Sequence, residues 1–167
     1  MNEEAQALPR FSPHPVPLAS LPVAVLMQRR VLQHRWADEA WAAVAVLKDD
    51  GGAASVQEVS RNEQGETWLV PGLTLDLFLD ENEGYHENWT AAEPKVFVLW
   101  RMEAGRAMPQ RASVSYVDGT RMFDSGESAD GVLMGPEIHA WLGDYLRRNY
   151  VPRAPGGEAR HGKRRRS

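Results

Sequence analysis

Asp76, Asp80, Glu81, Glu83, Glu87 and Glu93 fall within residues 76–93, a stretch that holds no Lys or Arg. Carboxylates at that density can ligate a cation, dock a basic protein surface, or simply solvate a hairpin face. The calcium reading fails on pattern. In Asp80-Glu81-Asn82-Glu83-Gly84, the glycine stands where a third ligand is needed, and Ala91 fills the closing Glu position. A docking patch for a basic partner is therefore the functional reading of Asp80, Glu81, Glu83 and Glu87. Trp89 lies in the same polar stretch and is expected to be its exposed aromatic. A second candidate is His34-Arg35-Trp36, between two apolar runs. Arg35 and Trp36 there suit a recognition loop, against the plainer reading of a connection anchored by one aromatic.

Other chemistries find little support. His14, His34, His86, His139 and His161 include no pair at metal-ligand spacing, and His86-Glu87 is the nearest approach to a site. Asp124-Ser125-Gly126 lacks the G-x-S-x-G elbow of a serine nucleophile. No G-x-G-x-x-G or Walker loop exists for a nucleotide. The chain has no cysteine, which excludes disulfides, thiolate metal sites and thiol chemistry of its own. No catalytic residue, metal site or cofactor is assigned from these patterns.

The chain has 167 residues, 43% hydrophobic and 25% charged, enough for one domain with a sizeable core. Its net charge of −4 is unevenly spread. Arg153, Arg160 and Lys163-Arg164-Arg165-Arg166 oppose only Glu158 in residues 153–167, so the body is more acidic than the total. Such a body repels duplex phosphates, so DNA binding is not expected. The start carries Glu3 and Glu4, and the apolar stretch 16–27 is broken by Pro17 and Pro22. That is not a secretory signal, and no window is long enough to span a membrane, so the expected location is the cytoplasm.

These candidates need elements to position them. Pro9, Pro13, Pro15 and Pro17 mark residues 1–21 as an extended arm. Residues 22–152 form the expected β-rich domain, and residues 153–167 a basic disordered tail. Residues 23–31 alternate Val23, Val25 and Met27 with Ala24, Leu26 and Gln28. Residues 41–47 form a second strand, although the alanines from Ala37 to Ala45 also allow a helix. Strands follow at 55–60 and 66–70, with a turn at 62–65 and a stop at Pro71-Gly72. Leu73, Leu75, Leu77 and Leu79 alternate with polar or aromatic residues, the period of a half-buried strand.

Residues 80–84 then read as a turn, and 85–90 as another strand. Residues 96–102 are apolar on both faces, which suits a central strand covered twice. Gly105 to Pro109 interrupts the chain. Ala112, Val114 and Tyr116 alternate before a hairpin-type turn at Asp118-Gly119. Pro136 opens one helix, whose stripe is Ile138, Trp141, Leu142, Tyr145 and Leu146. The expected fold is mainly β, of the α+β class: an antiparallel barrel or rolled sheet capped by that single C-terminal amphipathic helix.

Three stretches carry a family resemblance. They are Val25-Leu26-Met27-Gln28-Arg29-Arg30 with Arg35-Trp36 and Trp41; Glu83-Gly84-Tyr85 through Glu93-Pro94 to Val96-Phe97-Val98-Leu99-Trp100-Arg101; and Pro136-Glu137-Ile138 through Trp141-Leu142-Gly143-Asp144-Tyr145. Together they resemble the bacterial domain-of-unknown-function 3305 family over roughly residues 22–152. Genes of that family tend to lie beside those of molybdenum- or tungsten-dependent formate dehydrogenases and their maturation factors. The resemblance thus implies an accessory protein that binds a larger partner, a formate dehydrogenase subunit or maturation factor. A label of molybdenum-cofactor guanylyltransferase carried by some members does not suit this chain, which lacks a glycine-rich nucleotide loop followed by a lysine. The alternative is a barrel that binds a small molecule such as a pterin cofactor, with tryptophans and Arg101 or Arg111 lining a pocket.

Overall fold

A computed structural model describes residues 15–33, 38–52 and 54–153. Its elements, in chain order, are β1 (Ala19–Val31), β2 (Glu39–Lys48), β3 (Gln57–Asn62), β4 (Gly65–Leu77), a 3-10 turn (Leu79–Glu81), α1 (Asn82–Thr90), β5 (Lys95–Glu103), β6 (Arg106–Ser113), α2 (Tyr116–Asp124), β7 (Ser128–Leu133) and α3 (Pro136–Asn149). The fold is mainly β, in two antiparallel sheets. One has the strand order β2-β1-β4-β3 and the other β6-β5-β7.

Period-2 burial builds the first sheet. Val23, Val25 and Met27 of β1 are fully buried, as are Leu75 and Leu77 of β4. The strand expected at 66–70 does not stop at Pro71-Gly72, because β4 continues through both to Leu77. The pairing with β1 jumps there, from Val25 opposite Val70 to Val23 opposite Leu73. A bulge tolerates a proline without a ladder donor, and β3 has already ended on the other side of β4. Residues 39–48 are strand β2, which decides against the helical reading of the alanine-rich run. β1 begins at Ala19, inside the arm expected over 1–21.

β5 is the centre of the second sheet, as its two apolar faces require. Val96 and Val98 point into the core with Ala112, Val114 and Val132, while Phe97 faces the other way and is covered by α2. The break expected from Gly105 to Pro109 is only the tight turn at Ala104-Gly105, both with positive φ. Pro109 sits inside β6, an edge strand, opposite Trp100 at a register shift.

The two sheets face each other across a shared core that Tyr85, Ile138, Leu142, Tyr145 and Leu146 extend from the helices. They do not close into a barrel. Where the edges β2 and β7 approach, a side chain replaces the ladder. One carboxylate oxygen of Asp130 accepts the Ala43 backbone N–H at 2.9 Å and the Trp100 indole N–H at 2.7 Å. This satisfies an edge donor that would otherwise seek a strand. The barrel expectation is corrected to two open sheets, and the single helix to three among the described residues.

Candidate functional site

The acids of residues 80–87 lie on the 3-10 turn and α1, not on the turn and strand expected for them. The helix buries Asn82, Tyr85 and Asn88, three residues apart. That leaves Glu83 and Glu87, four residues apart, exposed on another face, with Asp80 exposed and Glu81 half-buried at the helix entrance. Two asparagines hold the helix in place. Asn88, fully buried, donates to the Lys95 carbonyl at 2.7 Å and the Val114 carbonyl at 2.9 Å, and accepts the Lys95 N–H at 2.9 Å. Asn82 donates to the Asn149 carbonyl at 3.0 Å and accepts the Tyr145 hydroxyl at 2.6 Å.

Opposite α1 stands α2. Ser115 caps it, its hydroxyl accepting the Asp118 N–H. The turn expected at Asp118-Gly119 is thus the first turn of a helix, and β6 ends at Ser113 rather than continuing to Tyr116. A Cβ on Gly119 would come within 2.7 Å of the Phe97 ring, so close packing rather than turn geometry accounts for the glycine. Asp118 is buried and accepts the Ser113 hydroxyl at 2.9 Å. Arg111 reaches the same carboxylate at 2.9 Å, and Arg121 approaches it at 3.9 Å. Both guanidinium groups stay largely exposed.

Between the two helices runs a groove of about 650 Å³. Asp80, Glu81, Glu83 and Glu87 line one wall, and Arg111 and Arg121 the other, with Ser115, Asp118 and Pro15 also lining it. The groove therefore brings together the four acids singled out in the sequence. It adds two arginines from β6 and α2 that the reading of residues 76–93 alone could not supply. The S-x-x-D spacing of Ser115 and Asp118 was the available signal for α2. Asp76 and Glu93 lie apart from the groove. Asp76 accepts the Ser20 hydroxyl at 2.6 Å, and Glu93 lies 3.8 Å from the Lys95 ammonium.

Trp89 does not serve as the exposed aromatic expected of it. Its indole stacks on His139 of α3 at 4.9 Å and 10°. Its N–H donates to the His139 carbonyl at 3.0 Å, and a His139 ring nitrogen lies 3.1 Å from the Trp89 carbonyl. It joins α1 to α3. Arg35 and Trp36 lie outside the described residues. Among the described residues no group of three or more His, Cys, Asp or Glu is arranged to hold a metal ion. Nor is any described helix long and apolar enough to cross a membrane.

Beneath the acids sits Tyr85, whose hydroxyl donates to Glu81 at 3.1 Å and accepts the Phe78 N–H at 3.1 Å. Burial pushes its hydroxyl well above the ordinary tyrosine value, against the opposing Phe78 N–H and with help from Glu81. Burial also raises Tyr145. Both are neutral when protonated, so their stabilisation is complete below the unfolded value of about 10. Above it the unfolded chain sheds protons that the folded chain keeps, and stability falls as pH rises. Urea midpoints are therefore expected to decline above about pH 10, less steeply in Tyr85→Phe. Identical slopes for variant and parent would remove Tyr85 as a cause.

Among the described residues the groove offers paired charge. Ser115 is buried, and its hydroxyl is engaged in capping α2. Carboxylates on one wall and guanidinium groups on the other suit a partner segment that is mainly basic with an acidic element. The family described as "Protein of unknown function (DUF3305)" matches residues 22–160, and the chain belongs to it. No curated protein and no solved structure matches the chain.

Proposed function

We propose that this chain is a non-catalytic accessory protein that binds a basic segment of a larger protein in the groove between α1 and α2. The partner class is a subunit or maturation factor of a molybdenum- or tungsten-dependent formate dehydrogenase. The observation that carries the docking reading is the gathering of Asp80, Glu81, Glu83 and Glu87 on one groove wall. The partner class rests on the family's gene neighbourhood. Carboxylates on a preformed wall steer a basic partner and set its register. The alternative of a small-molecule barrel for a pterin cofactor is not favoured by a specific observation, and the two sheets are open rather than closed into a barrel. Of its two arginines, Arg101 pairs on the surface with Glu103 at 3.1 Å and Arg111 lines the groove.

The test is a pull-down of the tagged chain from its own host grown with formate and molybdate, read by mass spectrometry. A formate dehydrogenase subunit or maturation factor is expected. The combined variant Asp80→Asn, Glu83→Gln, Glu87→Gln should retain roughly a tenth of it, since exposed ion pairs contribute about 0.2–1 kcal/mol each. The captured complex should also weaken with salt. Capture of neither protein would overturn the partner class, and capture indifferent to the three acids would overturn the groove.

A further inference from the structure

The core side of β1 presents Val23, Val25 and Met27. The intervening Pro22, Ala24, Leu26, Gln28 and Arg30 therefore stand on the other face of the first sheet. Strand pairing carries that outer face across the sheet. Ala24 lies opposite Leu47, and Leu26 lies between Ala45 of β2 and Leu69 of β4. Gln28 lies between Ala42 and Thr67. None of Ala24, Leu26, Ala45, Leu47 and Leu69 belongs to the core cluster, through which the second sheet and α3 meet this sheet. Leu47 is 46% exposed, and Val44, the extra residue of a bulge opposite Leu26, is 41% exposed. These central rows hold no charged residue. Charge is confined to the two ends, with Arg30 at one and Asp49 and Asp76 at the other. An apolar face that keeps charge to its margins has the composition of an interface.

We propose that this outer face is the interface of a homodimer, in which two copies stack sheet on sheet about a twofold axis. The axis lies between the sheets and across the strands, at the level of Val25. Two observations select a second copy as the occupant. The first is self-complementarity, which a twofold interface demands. That axis reverses the strands, so the Arg30 end of each copy meets the acidic end of the other. Arg29, on the core side, is already paired with Glu39 and Glu66, whereas Arg30 pairs with no carboxylate among the described residues. Asp76 is held only by the Ser20 hydroxyl, at 2.6 Å. The same axis sets Leu26 of one copy over Ala24 of the other, a large side chain against a small one. The second observation is area. Four strands about 4.8 Å apart and roughly 27 Å long present about 500 Å² in projection. The pair thus covers about 1,000 Å² before side-chain relief is counted, which reaches the size of a specific interface. This face shares no residue with the charged groove, nor with the aromatic concavity of Phe97, Tyr116 and Phe123 on the other flank of α2. The dimer therefore does not rest on the docking reading.

The experiment is sedimentation equilibrium of the full chain over a range of concentrations. The expected mass is twice the chain's 18.7 kDa. Leu47→Lys, at an exposed position, sets an unpaired ammonium in the apolar rows and should raise the dimer Kd by about tenfold or more. Arg30→Glu turns two attractive contacts into repulsive ones and should raise it roughly tenfold. The double variant Arg30→Glu, Asp76→Arg exchanges the two signs and should bring the Kd back towards that of the parent. Circular dichroism of each variant checks that the sheet is kept, and the exposed Arg30 exchange serves where Leu47→Lys fails to fold. The combined variant Asp80→Asn, Glu83→Gln, Glu87→Gln should dimerise as the parent does. A single-chain mass up to about 100 μM would overturn the proposal and leave the face to a different protein. A dimer indifferent to Leu47→Lys and Arg30→Glu would overturn it by placing the interface elsewhere. Failure of the double variant to re-form the dimer would overturn the twofold arrangement.

Discussion

Asn88→Ala is expected to lower the unfolding free energy by about 3–5 kcal/mol. The side chain is fully buried and makes three hydrogen bonds, to the carbonyls of Lys95 and Val114 and from the N–H of Lys95. Alanine leaves all three backbone groups without that partner, and each buried orphan costs about 1–3 kcal/mol before any cavity is counted. For a chain of this size the melting temperature should fall by roughly 10 °C. Hydrogen exchange at the Lys95 amide should accelerate more than exchange in β3, which Asn88 does not touch. Asn88→Leu keeps the bulk without the donors and is expected to fare no better. Recovery of stability in the leucine variant would show that Asn88 acts by volume and not by its bonds.

Gly65→Ala is expected to cost a comparable amount, about 3–5 kcal/mol, for a different reason. Gly65 opens β4 opposite Arg30, with a φ of +146°. A Cβ there would sit 1.9 Å from the Arg29 carbonyl oxygen, a backbone atom that cannot rotate away. The β3–β4 hairpin would have to part from β1. With it would go the pairing of Arg29 with Glu66 at 2.7 Å. Thermal melts give the magnitude, and loss of amide protection in residues 57–62 gives the location. Gly72→Ala separates strain from collision, because Gly72 also has a positive φ, +102°, but nothing lies within 4 Å of its would-be Cβ. It should cost only about 1–2 kcal/mol. Equal losses at the two positions would show that backbone strain alone accounts for the effect at Gly65.

Where the sequence reading failed, it failed at residues whose partners lie beyond the reach of a strand alternation or a helical turn. The segment 85–90 reads as a strand because Tyr85, Trp89 and Thr90 favour one. The helix there buries asparagine at two of its three inward positions, so no apolar stripe announces it. Those asparagines are tolerable inside only because Lys95, Val114, Tyr145 and Asn149 supply their hydrogen bonds. Asp118-Gly119 reads as a turn because that dipeptide favours hairpins, yet here one residue receives bonds from Ser113 and Arg111 and the other makes room for Phe97. The barrel reading counted strands correctly as antiparallel but could not see that Asp130, and not a ladder, would join β2 to β7.

The sequence by itself determined the parts governed by local periodicity and turn chemistry. These are β1 and the leucine-alternating second half of β4, α3 by its stripe from Ile138 to Leu146, and the hairpin at Asn62–Gly65. It also carried the family membership and the acidity of residues 80–87. Tertiary structure alone decided that those acids face Arg111 and Arg121 across a groove, that Trp89 packs against His139, and that α2 divides a charged groove from an aromatic one. The physical reason is one of range. A stripe or an alternation records which face of an element leaves water, and it is written into neighbours a few residues apart. Which polar group may be buried, and which charge meets which, depends on atoms brought together from far along the chain.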